Sequence, residues 1–119
     1  MAMAIVQDFG HLTFEVGDMD KAIRFYRDAL GFTVAGKVDP VWTVLATKGG
    51  TLTLYRKKDP IPCSLRNGGS PLNLHVADVT KAAEALERAG LAVRRGDENS
   101  GFVTDPWGNV LGLHDHRKD

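Results

Sequence analysis

The chain is written twice. Shifted by sixty positions, residues 11–22 fall on residues 71–82. Leu12/Leu72, Val16/Val76, Asp18/Asp78, Lys21/Lys81, Ala22/Ala82 and Ala29/Ala89 are then identical. Further on the offset becomes fifty-nine, and Gly31/Gly90, Gly49/Gly108, Leu52/Leu111 and Leu54/Leu113 coincide. An internal repeat constrains the fold to two like units packed about a pseudo-symmetry axis, with any shared site where they face each other. It also lets every position be compared with its counterpart.

Local patterns define what is repeated. Residues 10–16 alternate, with Leu12, Phe14 and Val16 on one face and His11, Thr13 and Glu15 on the other, as in a two-faced strand. Asp18 is suited to cap a helix over 19–30, whose apolar stripe is Ala22, Ile23, Tyr26, Ala29 and Leu30. Gly31 ends it. Strands follow over 32–37, 41–47 and 51–56, divided by Asp39-Pro40 and Lys48-Gly49-Gly50. The second copy has a strand over 72–76, a helix over 79–89 capped by Asp78 and stopped by Gly90, and strands over 91–94, 102–104 and 109–114. Residues 95–100 read as a loop. Each copy is βαβββ, so the fold class is α+β. Two tandem modules, each a four-stranded curved sheet with one helix outside, enclose a cleft. The 119 residues form one domain, with module one over 5–57, a linker over 58–70 and module two over 71–115.

Alternation selects the residues that face the cleft. They are His11, Thr13 and Glu15, then Thr51, Thr53 and Tyr55, then Asn73 and His75, then Gly112 and His114. Trp42 opens a middle strand near the cleft mouth, where an indole can serve as a platform for a planar ligand. Trp107 lies in a turn and reads as packing there. Thr51, Thr53 and Asn73 add neutral hydrogen-bonding groups, the usual polar complement of a partly apolar site. Glu15 and His75 are equivalent under the repeat, as are Tyr55 and His114. These groups are either a polar wall, with a buried Glu15–His75 hydrogen bond, or an acid/base or metal site. His116 reads as tail.

Fifteen basic and fifteen acidic residues leave no net charge. This argues against nucleic acid or an anionic membrane as partner; the cluster Arg56-Lys57-Lys58 reads as a solvated strand end. The single Cys63 cannot form an internal disulfide, which suits a reducing, cytoplasmic setting. No apolar run is long enough to span a membrane, and Met1 to Val6 lacks the basic start of a secretory signal. No Ser-His-Asp order, phosphate-binding glycine loop or cysteine pair stands out.

Four segments carry a resemblance. They are His11 with Gly17-Asp18-Met19, Phe25-Tyr26 with Leu30-Gly31-Phe32, Val76 with Asp78-Val79, and Asp105-Pro106-Trp107-Gly108-Asn109-Val110-Leu111. In this order and spacing the chain resembles the vicinal oxygen chelate superfamily, which includes glyoxalase I, bleomycin-resistance proteins and extradiol dioxygenases. The resemblance covers nearly the whole chain and implies its fold. Its metalloenzymes hold a divalent ion with His, Glu or Gln on the first and last strand of each module. Here those positions are His11, Thr53, Pro71 and Gly112, so one strong ligand stands where four are needed. The expectation is therefore a protein without metal or other cofactor that reversibly binds a small organic molecule, an antibiotic or aromatic metabolite, as the superfamily's drug-binding resistance proteins do. Its ligand-binding residues would be His11, Thr13, Glu15, Trp42, Thr53, Tyr55, Asn73, His75 and His114. The alternative is a lyase, isomerase or dioxygenase using a displaced site with Glu15 and His75 as catalytic candidates. Resemblance also implies a homodimer in which a module of one chain faces a module of the other; the linker is long enough to permit either that exchange or closure within one chain.

Overall fold

The computed structural model describes residues 5–6, 11–63 and 72–116. Most of the expected linker, and Pro71, lie outside the described residues. In chain order the elements are β1 (Leu12–Val16), α1 (Met19–Ile23), β2 (Thr33–Ala35), β3 (Trp42–Thr47), β4 (Gly50–Arg56), β5 (Asn73–His75), α2 (Val79–Arg88), β6 (Ala92–Arg95), β7 (Ser100–Thr104) and β8 (Val110–His114). They build two separate four-stranded sheets, ordered β1-β4-β3-β2 and β5-β8-β7-β6. In each, the first strand runs parallel to the last and the remaining neighbours are antiparallel.

The repeat is visible down to single hydrogen bonds. Asp18 caps α1 by accepting the Lys21 N–H, and Asp78 caps α2 by accepting the Lys81 N–H, both from an extended backbone with φ −152°. Gly31 and Gly90 follow the helical segments with φ of 89° and 83°, a conformation glycine adopts without a Cβ penalty.

The first helical segment departs from its expected form. Only residues 19–23 are α-helical, and Arg24–Ala29 widen into a π-turn, in which the Leu30 N–H donates to the Phe25 carbonyl at 3.0 Å. Phe25 and Tyr26 are neighbours in sequence and would point about 100° apart on an α-helix. Both are buried here, their rings 4.8 Å apart edge to face, with Tyr26 also against Phe14 and Phe32. Burial of two large adjacent aromatics thus outweighs regular i→i−4 geometry.

One face of each sheet packs on its helix. In module one this face presents Leu12, Phe14, Val16, Leu45, Leu52 and Leu54, and they form a continuous core with Val103, Leu111 and Leu113 of module two. The modules are held together by a polar clasp. Tyr26 donates its hydroxyl proton to Asp105 Oδ2 at 2.7 Å. Asn109 Nδ2 donates to Asp105 Oδ2 at 2.8 Å and to the Glu15 carbonyl at 2.9 Å, while its Oδ1 accepts the Cys63 N–H at 2.7 Å. Trp107 lies against Gly17, so closely that a Cβ there would stand 2.6 Å from the indole nitrogen. The sequence segments around Tyr26 and Asp105-Pro106-Trp107-Gly108-Asn109 are therefore two halves of one joint.

The Cα radius of gyration is 15.2 Å. A compact domain of this length has a radius of about 13.5 Å, so the two modules form an open body rather than a closed ball. No described helix is long and apolar enough to cross a membrane.

Candidate functional site

The strand register converts the repeat into rows across the two faces that point away from the helices. In module one Glu15, Tyr55 and Trp42 lie side by side, and in module two the matching row is His75, His114 and Ser100. One pleat along are Thr13, Thr53, Val44 and Ala35, matched by Asn73, Gly112, Phe102 and Arg94. The first wall is aromatic where the second is imidazole and hydroxyl.

On the first wall Trp42 and Tyr55 make an edge-to-face pair 5.1 Å apart, and the exposed His11 ring meets Trp42 edge-on at 6.0 Å. Trp42 retains 41% of its exposure, a large value for an indole already packed on two rings. Its strand start is fixed by Asp39, whose carboxylate accepts the N–H groups of Val41 and Trp42. These two bonds hold the Asp39 carboxyl below the usual carboxylate range. Lys57 Nζ lies 5.1 Å from the centre of the Tyr55 ring. Thr53 is fully enclosed, while Thr13 and Glu15 are half-buried.

Glu15 and His75 are not hydrogen-bonded to each other within this chain. Glu15 accepts the Ile61 N–H at 2.9 Å, whereas His75 stands edge-on to His116 at 5.0 Å and 6.4 Å from His114. Within this chain the pairing expected from the repeat does not form, because Glu15 is taken up by the Ile61 N–H and His75 by the two neighbouring histidines. A groove of about 590 Å³ joins the modules between the β3–β4 turn and β5; it reaches Asn73 and His75. His11, Glu15, Trp42 and Tyr55 lie outside it. The two walls are thus brought into one chain but not into one pocket.

The four positions where the resemblance calls for metal ligands do not fit an ion. Thr53 offers a buried hydroxyl, Pro71 lies outside the described residues and carries no donor, and His11 is exposed against Trp42. At Gly112 the space of a ligand side chain is filled: a Cβ there would collide with Asn73 Oδ1.

Tyr26 is the most strongly perturbed acid. Burial pushes its phenol far above the ordinary range, and the adjacent Asp105 charge and their hydrogen bond push it further. The proton stays on the phenol and is donated to Asp105, so this pair braces the joint rather than exchanging protons. Sequence reasoning treated these residues as motif members and missed their joining role. No periodic signal marked the bond: the repeat places Leu86 opposite Tyr26 and Ala46 opposite Asp105, so neither partner has a like counterpart.

With this geometry in hand, comparison with known proteins is decisive for the family. The model of the Glyoxalase/Bleomycin resistance protein/Dioxygenase superfamily matches residues 8–113. The chain belongs to this superfamily. No curated protein matches it. Among solved structures, TnmS3, an antibiotic-binding protein from Streptomyces sp. CB03234, is similar at 25% identity and a TM-score of 0.68, with 95% of this chain and 98% of that one covered. A glyoxalase/bleomycin resistance protein from the same organism aligns at 27% identity and a TM-score of 0.63, covering 87% of this chain and 96% of that one. A lactoylglutathione lyase from Agrobacterium tumefaciens shares the fold at 18% identity and a TM-score of 0.65, over 94% and 96% of the two chains. The superfamily thus includes both binding proteins and enzymes on this scaffold, and the site must decide between them.

Proposed function

We propose that this superfamily member is a cytoplasmic binding protein that sequesters a small, partly planar organic molecule, such as an aromatic antibiotic or metabolite, without a metal at the family's ligand positions. The observation that carries this reading is at Gly112, where the Asn73 amide fills the space of the family's ligand side chain. The counterpart position in module one holds Thr53, whose enclosed hydroxyl is a poor donor for an ion. What remains is a binding surface: the exposed Trp42 packed on the half-buried Tyr55 on one wall, and neutral amide, imidazole and hydroxyl groups on the other. The similarity to an antibiotic-binding protein supports the same reading.

The cleft is completed by a second copy. In a homodimer the Trp42–Tyr55 wall of one chain would face the Asn73–His75 wall of its partner, giving two equivalent sites related by a twofold axis. The open shape and the separation of the two walls within one chain support this arrangement. Sedimentation at micromolar concentration should give a dimer; a monomer that still binds ligand would refute it. Function is tested by thermal shift across a panel of bleomycin, planar aromatic antibiotics and aromatic metabolites. A binder raises stability by RT ln(1 + [L]/Kd), and here it should be recovered chemically unchanged. Turnover of any panel member at enzyme-like rates would replace the binding reading with the enzymatic one.

A further inference from the structure

The histidines of module two form a cluster whose third member, His116, is a tail residue by sequence alone. His75 ends β5 and His114 ends β8, side by side in the parallel register. His116 follows two residues on and so returns to the same face. The rings of His114 and His116 are 4.6 Å apart. One ring nitrogen from each of the three residues lies within 4.8 Å of the others.

This cluster is held by its surroundings. The Val76 N–H donates to the His114 carbonyl at 3.0 Å, locking the end of β5 to the end of β8. Asp115, between the other two histidines, is 1% exposed. Its carboxylate accepts the Val79 N–H and the Asn99 side-chain amide at 2.5 and 2.6 Å, and its own N–H donates to the Asn99 carbonyl at 3.0 Å. A residue pinned on the inward side forces its two neighbours outward together. The rings stand over a hollow of about 400 Å³ walled by Asn73, Ser100 and Phe102.

We propose that His75, His114 and His116 bind a divalent transition-metal ion. Three imidazoles without a carboxylate suit zinc, nickel or copper, whereas calcium and magnesium require oxygen. Tetrahedral coordination with Zn–N of 2.0–2.1 Å places ligand nitrogens ~3.3 Å apart. Small side-chain rotations close the present spacing, since His75 and His116 stand exposed at the surface. The hollow leaves a fourth position for water or a ligand atom. The repeat shows that the site is particular to module two. Glu15, Tyr55 and Lys57 stand at the matching positions, and a lysine there repels a cation. The site is also distinct from the family's metal position, since it lies one pleat beyond Gly112 along β8. It does not rest on the ligand-binding reading.

The test is calorimetric titration of tag-free, chelator-treated protein with Zn²⁺ and with Ni²⁺, alongside electron paramagnetic resonance of the Cu²⁺ form. One ion per chain should bind, with a copper spectrum showing several equatorial nitrogens. His75→Ala, His114→Ala and His116→Ala should each weaken binding at least ~10-fold, because even loss of a group that only supports a ligand costs that much. His116→Gln, at an exposed position, guards against a folding artefact and should weaken binding similarly with an unchanged circular dichroism spectrum. His11→Ala should leave affinity unchanged. No binding at high micromolar metal, affinity indifferent to His114→Ala and His116→Gln, or loss of binding in His11→Ala would each overturn the proposal.

Discussion

Removing one oxygen atom from the joint between the modules should cost a calculable amount of stability, and the cost should depend on pH. In Tyr26→Phe the ring keeps its contacts with Phe14, Phe25 and Phe32. Only the 2.7 Å hydrogen bond to Asp105 is lost. Hydrogen bonds to a charged group are worth about 1.5–3 kcal/mol. Asp105 retains Asn109 Nδ2 on the same oxygen, and the Trp107 and Asn109 N–H groups on the other, which places the loss near 2 kcal/mol at neutral pH. Unfolding in urea, with a slope of about 2 kcal/mol/M for a chain of this size, should then show a midpoint about 1 M lower. The folded state raises the Tyr26 pKa above its ordinary value of 10.0, so it favours the protonated phenol. This contribution is fully present below pH 10. It declines as pH rises above 10, where the unfolded chain releases its proton and the folded one does not. The wild type should therefore lose an extra ~1.4 kcal/mol relative to Tyr26→Phe by about pH 11, narrowing the difference between them. A gap below about 0.5 kcal/mol near pH 8, or one that does not narrow in alkali, would refute this account of the joint.

Other substitutions test other parts of the fold. Gly112→Ala should destabilise by about 1 kcal/mol because its Cβ displaces the Asn73 amide; the penalty should shrink in an Asn73→Ala background, measured as a double-mutant cycle. Gly17→Ala drives a methyl into the Trp107 indole and should cost roughly 2 kcal/mol, relieved in Trp107→Leu, by the same urea titration. Asp18→Ala and Asp78→Ala should each cost about 1 kcal/mol as lost helix caps. Because the caps lie in different modules, the thermal destabilisation of the double variant should equal the sum.

Much of this structure was legible in the residues because the same physics operates twice. The two aspartate caps, the two stop glycines and the alternating strands each predict an element, and the repeat says that the elements recur in the same order. The sheet register even preserves the equivalences Glu15/His75 and Tyr55/His114. What the residues could not convey was relation between faces. Glu15 and His75 correspond by symmetry, yet correspondence is not contact, and Glu15 instead satisfies the Ile61 N–H. The π-turn at Arg24–Ala29 was hidden because it reflects where two adjacent aromatics must both go, not any local preference of the intervening residues. His116 looked like tail because its role depends on Asp115 being anchored by Val79 and Asn99, partners distant in sequence. The Tyr26–Asp105 bond spans 79 residues and has no periodic signature.

The central claim, that this superfamily member binds an aromatic molecule through its Trp42–Tyr55 wall without transforming it, is tested most directly by one titration. The strongest thermal-shift hit from the antibiotic and metabolite panel is titrated calorimetrically into wild type and Trp42→Ala, and the ligand is then recovered for mass analysis. One ligand should bind per chain and be recovered intact, with affinity reduced about thirtyfold in Trp42→Ala, the ~2 kcal/mol typical of a central aromatic anchor. The fold should be unaffected, because the indole remains substantially exposed. Undiminished affinity in Trp42→Ala, or recovery of a converted product, would contradict it.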